Sequence, residues 1–487
     1  MLYTMVQQHK SLLALACFLC FLGLSLSLDY ADIYARSNEL PEQREFLSSI
    51  SFQLHRNKER GITTRTANNA TFASEHSMSL SFKALSREFA AVLHQNAELF
   101  APDAEVSIYE EDDLVERYTP ESTAYLGEAT IDGVEKAGVS AVVVDYSKGI
   151  FHMTIWNEES GESYVVEPTY LHPTLSKRAS EEDVHDMLGN NMVVFKESTE
   201  ELANIINQAA PNLDDLDAAE REDTRCGTPD DDERHAGGEE DVSATSFADV
   251  MDPTSSCPPR RNSYLQMGIA TDNQYVRKAG GTNGARNTIS FIFNTMQSHY
   301  YRAVRTKPVL KSLRINSRAS SLGFNTASCP SSVQSRLSPF CSWRTRQSDR
   351  SIGLWHLLSG CLPDRSGVAG RAYYGAICLY STRGCGIGGY LGGNARWVIP
   401  AHEIGHNFGA RHSSNIMAAS VNSRATGFPS TAISQMCRYT FRNRQRSACL
   451  LSSLSRSRLE EENQPLNEAA TSMGEDSSAI RSAPLFF

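Results

Sequence analysis

The stretch from His402 to His412, HEIGHNFGARH, constrains this chain more than any other. A helix through residues 399–407 puts His402 and His406 at i and i+4, one turn apart on one face. Two imidazoles so placed can reach a single Zn²⁺ at about 2.0–2.1 Å. Glu403 follows the first imidazole, so its carboxylate leans towards the open side of the ion. There it can take a proton from a water and return it to a leaving amine. Gly409 accepts φ > 0 without a Cβ clash, which ends the helix and swings His412 round as a third ligand. Three protein ligands leave the fourth position for water and substrate, as a catalytic zinc needs. H-E-x-x-H alone arises by chance on amphipathic helices; the added glycine and third histidine make the pattern specific.

Further motifs surround this one: Ser342-Trp343-Arg344, LWHLLSG at 354–360, GVAGRAYYGAIC at 367–378, NIMAAS at 415–420, and ISQMC with ACL at 433–437 and 448–450. With them the chain resembles the adamalysin (reprolysin, ADAM-type) metzincin zinc metallopeptidases with their prodomain. The resemblance spans residues 80–452 and is specific from 340 onward. It implies an α+β catalytic domain, a mixed sheet with helices, preceded by a β-rich prodomain. The active-site helix would lie beneath the sheet edge that binds an extended peptide by strand addition. It also implies that Met417 forms a structural turn beneath the zinc and that Cys378 pairs with Cys449. Cys226, in Thr224-Arg225-Cys226-Gly227, would be the inhibitory switch, a prodomain thiolate filling the fourth zinc position. A disulfide between Cys226 and Cys257 is the other reading of that thiol.

The chain departs from the family at several places. Met417 follows His412 by a shorter connection than usual, and Ser413 stands where Asp is common. Met436 lies further along, but its context matches the closing helix. Gln266 and Gly353 occupy positions that often carry carboxylates for a structural calcium, so no calcium site is expected.

At 487 residues the chain has room for two or three domains. Residues 1–28 read as a secretory signal peptide, with Lys10 ahead of an apolar run from Leu12 to Leu26. That run is too short to favour a membrane span, and no membrane anchor is expected elsewhere. The prodomain would occupy 29–210, with an N-glycosylation sequon at Asn69. Phe82, Leu85, Phe89 and Leu93 fall at helical spacing, whereas the resemblance suggests β structure there; periodicity leaves both open. From Val139 to Pro168, alternating β-branched and aromatic residues predict two strands with a turn at Ser147-Lys148-Gly149. Residues 211–261 read as an acidic linker that carries Cys226 and a dibasic processing site, Arg260-Arg261. The peptidase domain would span 262–454, beginning with a strand at 265–270, a helix at 287–307 and a strand at 312–315. A Ser- and Glu-rich tail, 455–487, has no pattern for a core.

The net charge of −11 hides an asymmetry. Between Asn262 and Arg458 the acids are Asp272, Asp349, Asp364 and Glu403, against roughly two dozen Lys and Arg. Attraction between an acidic pro-segment and a basic enzyme would favour latency. For an exported chain the basic surface suits an anionic polysaccharide or an acidic protein better than nucleic acid. These features predict a secreted zinc endopeptidase made as a zymogen. It would cut extracellular or cell-surface proteins, with its own prodomain as inhibitor and removal of 29–261 as the activating step. The alternative from another class is a catalytically weak, zinc-bound binding protein that recognises an anionic extracellular partner.

Overall fold

The structure, a computed structural model, describes residues 44–56, 63–65, 71–73, 76–172, 190–197, 262–330, 332–363, 367–441 and 447–454. The expected signal peptide, Asn69, Cys226, Cys257, Arg260-Arg261 and the C-terminal tail lie outside them.

Strands dominate the N-terminal half. They are β1 (Arg44–Leu47), β2 (Ser51–Arg56), β3 (Thr63–Arg65), β4 (Thr71–Ala73), β5 (His76–Ala84), β6 (Arg87–Gln95) and β7 (Phe100–Glu110). After them come β8 (Asp113–Tyr118), β9 (Ala124–Ile131), β10 (Glu135–Asp145), β11 (Ile150–Trp156), β12 (Ser163–Pro168) and β13 (Met192–Lys196). Nine of these form one antiparallel sheet in the order β1-β13-β12-β11-β10-β9-β6-β5-β2, and β3 pairs only with β4 among the described residues. The segment with helical spacing is a hairpin. Met78, Leu80, Phe82 and Ala84 alternate inward along β5, and Phe82 stacks on its cross-strand partner Phe89 with ring centroids 4.8 Å apart. Leu85 and Ser86 turn the chain with φ of 55° and 60°, a left-handed pair more often built from Asn and Gly. The predicted turn at 147–149 joins β10 to β11, with Gly149 at φ 62°, but the span expected to hold two strands holds three, because a second turn after Trp156 starts β12.

The second half alternates strands and helices: β14 (Ser263–Thr271), α1 (Asn273–Lys278), α2 (Thr282–Val304), β15 (Thr306–Asn316), α3 (Gln334–Arg344) and β16 (Leu354–Ser359). Then follow β17 (Gly370–Ala372), β18 (Cys385–Gly389), α4 (Ala395–Asn407), α5 (Ser430–Met436) and β19 (Leu450–Leu451). The helix expected at 287–307 thus begins a turn and a half earlier and stops at Arg305, whose φ of 55° ends it. Its sheet runs β17-β18-β16-β14-β15-β7-β8, with β19 on β14. Five of these strands, β18, β16, β14, β15 and β7, are mutually parallel, and β17 is an antiparallel edge.

Sheet pairing does not stop at the segment boundary drawn from the sequence. β7 leaves the N-terminal sheet and lies parallel to β15, with Leu313 opposite Val106 and Ile315 opposite Ile108, and β8 folds back on it as the outer edge. α2 lies between the two sheets and is buried on almost every side. That explains a helix whose polar residues also point inward. The amides among them find partners: Asn294 donates to the Tyr125 carbonyl and to Ser140 Oγ, while Asn96 donates to Asn294 at 2.9 Å and to Gln297 at 2.7 Å. Left without those bonds, such buried amides would each cost about 1–3 kcal/mol.

A fully buried ion pair sits at the start of α4. Arg396 lies 3.2 Å from Glu167 of β12, and both are almost fully buried. Glu167 is also met by His172 Nε2 at 2.6 Å. Burial alone would raise the Glu167 pKa, but Arg396 and then His172 hold it well below the usual range. Replacing Arg396 with Met would strand that carboxylate. We expect Arg396→Met to cost about 3–5 kcal/mol of stability in urea unfolding. A loss below about 1 kcal/mol would mean that the pair is not ionised as described.

Candidate active site

α4 carries the first two imidazoles and the carboxylate at the predicted positions, and every residue of it is buried. Its end is set twice over. Gly409 has φ 92°, and a Cβ there would lie 2.5 Å from that of Tyr439, so both backbone conformation and space require glycine. The turn brings the Ala410 carbonyl within 2.7 Å of His406 Nδ1. It also carries His412 back to the helix.

His402, His406 and His412 converge. Their ligand atoms lie within 4.8 Å of one another, with His406 Nε2 2.9 Å from His402 Nε2 and 3.2 Å from His412 Nε2. His402 Nδ1 faces the Ile416 carbonyl at 2.7 Å, as His406 Nδ1 faces Ala410. A carbonyl can only accept, so both rings carry their proton on Nδ1 and turn Nε2 lone pairs towards each other. Lone pairs at that spacing repel unless a cation sits among them. Burial supports the same state: it drives the His402 pKa down to about 3 and His406 well below its ordinary value. Neutral imidazoles are the form that binds zinc, and this donor set fits it.

Met417 is fully buried at the end of a short 3-10 turn, Asn415–Met417. A Cβ on Gly405 would lie 2.6 Å from the Met417 sulfur, so the thioether packs directly beneath the helix between Glu403 and His406. The short connection from His412 closes through Ser413, whose amide donates to the Met417 carbonyl at 2.8 Å. Position 413 therefore contributes backbone to this turn. Cys378 and Cys449 form a bridge, alongside Cys329–Cys361 and Cys341–Cys385. A side chain at 353 would collide with Cys449 Sγ, which leaves no room there for a carboxylate of a calcium site.

Three contributors were not singled out as site residues from the sequence. Gly370, on edge strand β17, presents a bare Cα to Glu403; a Cβ there would lie 2.5 Å from Oε1 and 2.7 Å from Cγ. A small cavity next to His402 and Glu403 is walled by Val398, Ile399, Ala419 and Val421. The start of α4 is held by Glu197, which follows β13 and accepts from the Asn394 amide at 2.5 Å. Asn394 is fixed in turn by Thr154 Oγ1 at 2.9 Å and Ser163 Oγ at 2.6 Å. Glu167 and Glu197 thus place two carboxyls at the positive end of the active-site helix.

Burial pushes the Glu197 carboxyl up to about 8, against the smaller opposing effect of the Asn394 amide. A carboxyl with a raised folded pKa stabilises the fold below its unfolded value of 4.5, and that contribution is lost as pH rises through about 8. Glu197→Gln mimics the protonated form. Thermal unfolding should therefore shift upward for the variant at pH 8 and change little at pH 5; equal shifts at both would refute the titration. Gly370→Ala should displace Glu403 while leaving the imidazoles in place. Turnover should fall by at least about tenfold, or about 1.4 kcal/mol, with zinc content by atomic absorption unchanged.

A sequence model of the reprolysin type, described as metallo-peptidase family M12, matches residues 261–451. Among curated proteins, the disintegrin and metalloproteinase domain-containing protein B of Aspergillus fumigatus is 28% identical over 207 residues. The match covers 40% of this chain and 25% of that relative, so the chain spans about a quarter of the relative's length. Residues 261–451 are a reprolysin-type metallopeptidase domain of family M12, distantly related to ADAM-like proteins and equipped with a three-histidine zinc site.

Proposed function

We propose that this protein is a secreted zinc endopeptidase, made as a zymogen, that cuts extended segments of extracellular or cell-surface proteins. The observation that carries the reading is the convergence of His402, His406 and His412 with Glu403 beside them under an edge strand. Zinc, when bound, supplies Lewis acidity for the scissile carbonyl and for the attacking water. The chain's own groups do the rest. Glu403 takes a proton from the water and delivers it to the amine nitrogen that leaves, and its burial against Gly370 keeps bulk solvent from competing. β17 offers backbone groups along its outer side, where a substrate strand can add to the sheet.

Three disulfides among the described residues fit an oxidising compartment. No helix among the described residues is long and apolar enough to cross a membrane. Latency would come from Cys226 occupying the fourth zinc position, and activation from a cut after Arg261 that lets this thiol withdraw. Asn69 would carry a glycan, and the basic peptidase surface would retain the enzyme on anionic polysaccharide.

The test is hydrolysis of a denatured protein mixture by the processed full chain. Cleavage should stop with a zinc chelator and return with added zinc. Glu403→Gln should bind zinc normally and lose about 10²–10⁴-fold in turnover. Undiminished hydrolysis by that variant would sink the assignment of the base.

A further inference from the structure

We infer that residues 44–197 stay on the peptidase half after the chain is cut at Arg260-Arg261, so that the processed protein is a two-chain molecule joined along β7–β15 and around α2 and α4. The inference rests on the processing site proposed above, but not on any hydrolytic activity. Activation then consists of withdrawing Cys226, and no longer of losing the whole of 29–261.

Four independent features of the interface point this way. The first is backbone pairing. Leu310 donates to the Leu99 carbonyl at 2.9 Å and Ser317 to the Tyr109 carbonyl at 2.8 Å, at the two ends of the β7–β15 ladder. Removing β7 would expose the whole edge of β15, a parallel strand whose side chains are largely buried. The second is polar satisfaction within α2. Asn294 and Gln297, both buried, bond to Tyr125, Ser140, Asn96 and the Glu98 carbonyl, all in the N-terminal half.

The third feature is the sign of the charges. Among the described residues, the ion pairs between the halves are Arg302–Glu158, Lys307–Glu98, Lys311–Asp103, Arg318–Glu110 and Arg396–Glu167. In every one the acid comes from the N-terminal half and the base from the peptidase half. A cover meant to fall away would leave Arg396 buried without its carboxylate. The fourth is covalent. Cys437 is disulfide-bonded, while the other six cysteines of 262–454 pair among themselves. The remaining cysteines, 17, 20, 226 and 257, all lie upstream of Arg260. Cys17 and Cys20 fall in the expected signal peptide and Cys226 in the proposed switch, so a bridge from Cys437 to Cys257 would span the cut.

The test uses the full chain with a recognition site for a sequence-specific protease inserted after Arg261. After complete cutting, native mass is measured by size exclusion with light scattering. The Cys437→Ser chain, cut in the same way, removes the covalent link and reads the non-covalent interface alone. Both pieces should co-elute at the mass of the uncut protein in either form. Elution of a monodisperse 262–487 piece by itself from the cut Cys437→Ser chain would overturn the inference.

Should that variant fail to fold, hydrogen exchange on the cut wild-type chain decides. The amides of Leu310 and Ser317 should keep the protection they have in the uncut protein. Exchange tenfold or more faster at both would mean that β7 has left β15. Neither readout needs turnover, so failure of the peptidase reading would leave this result interpretable.

Discussion

A guanidinium buried one residue into the active-site helix can exist only if a carboxylate is buried with it. Arg396 and Glu167 satisfy that demand across the boundary between the two halves, and much of the architecture follows from it. Glu167 must be held by a strand that cannot drift, and β12 lies within the antiparallel sheet. The helix that Arg396 opens carries His402, Glu403 and His406 one to three turns further on. The position of the zinc ligands along the helix axis is therefore referred to a residue of the N-terminal half.

The site itself is built by exclusion as much as by attraction. Gly370, Gly405 and Gly409 are each placed where a β-carbon would strike Glu403, Met417 or Tyr439. Close backbone approach lets the carboxylate, the thioether and the third imidazole crowd around one point. The two Nδ1–carbonyl bonds then choose the tautomer that aims the remaining nitrogens inward. Geometry and protonation state come from the same few residues.

The zinc motif was legible in the sequence because helical geometry is local: positions four apart share a face wherever the helix sits. The strands at 139–168 were legible for a similar reason, since alternation within one strand declares a buried face. The hairpin of β5 and β6 was ambiguous because Phe82, Leu85, Phe89 and Leu93 suit a helical period too. Its turn also uses Leu85 and Ser86 in place of the glycine or asparagine that would have marked it. β7 was not legible as part of the second sheet, since parallel pairing with a distant strand leaves no pattern in either segment. The inward polar residues of α2 could not be assigned partners for the same reason. Their partners lie in another part of the chain.

The β7–β15 pairing also has a consequence for biosynthesis. Phe100 and Leu310 are register partners separated by ~200 residues, which a ribosome adds in roughly 10–40 s. Until β15 is made, the edge of β7 that it fills has no partner strand in the chain already synthesised. The peptidase sheet can therefore be completed only once both halves of the chain have been made. A substitution that slows folding of the N-terminal strands would delay the enzyme without touching it, and the lesion would be seen as low yield of a protein with normal specific activity.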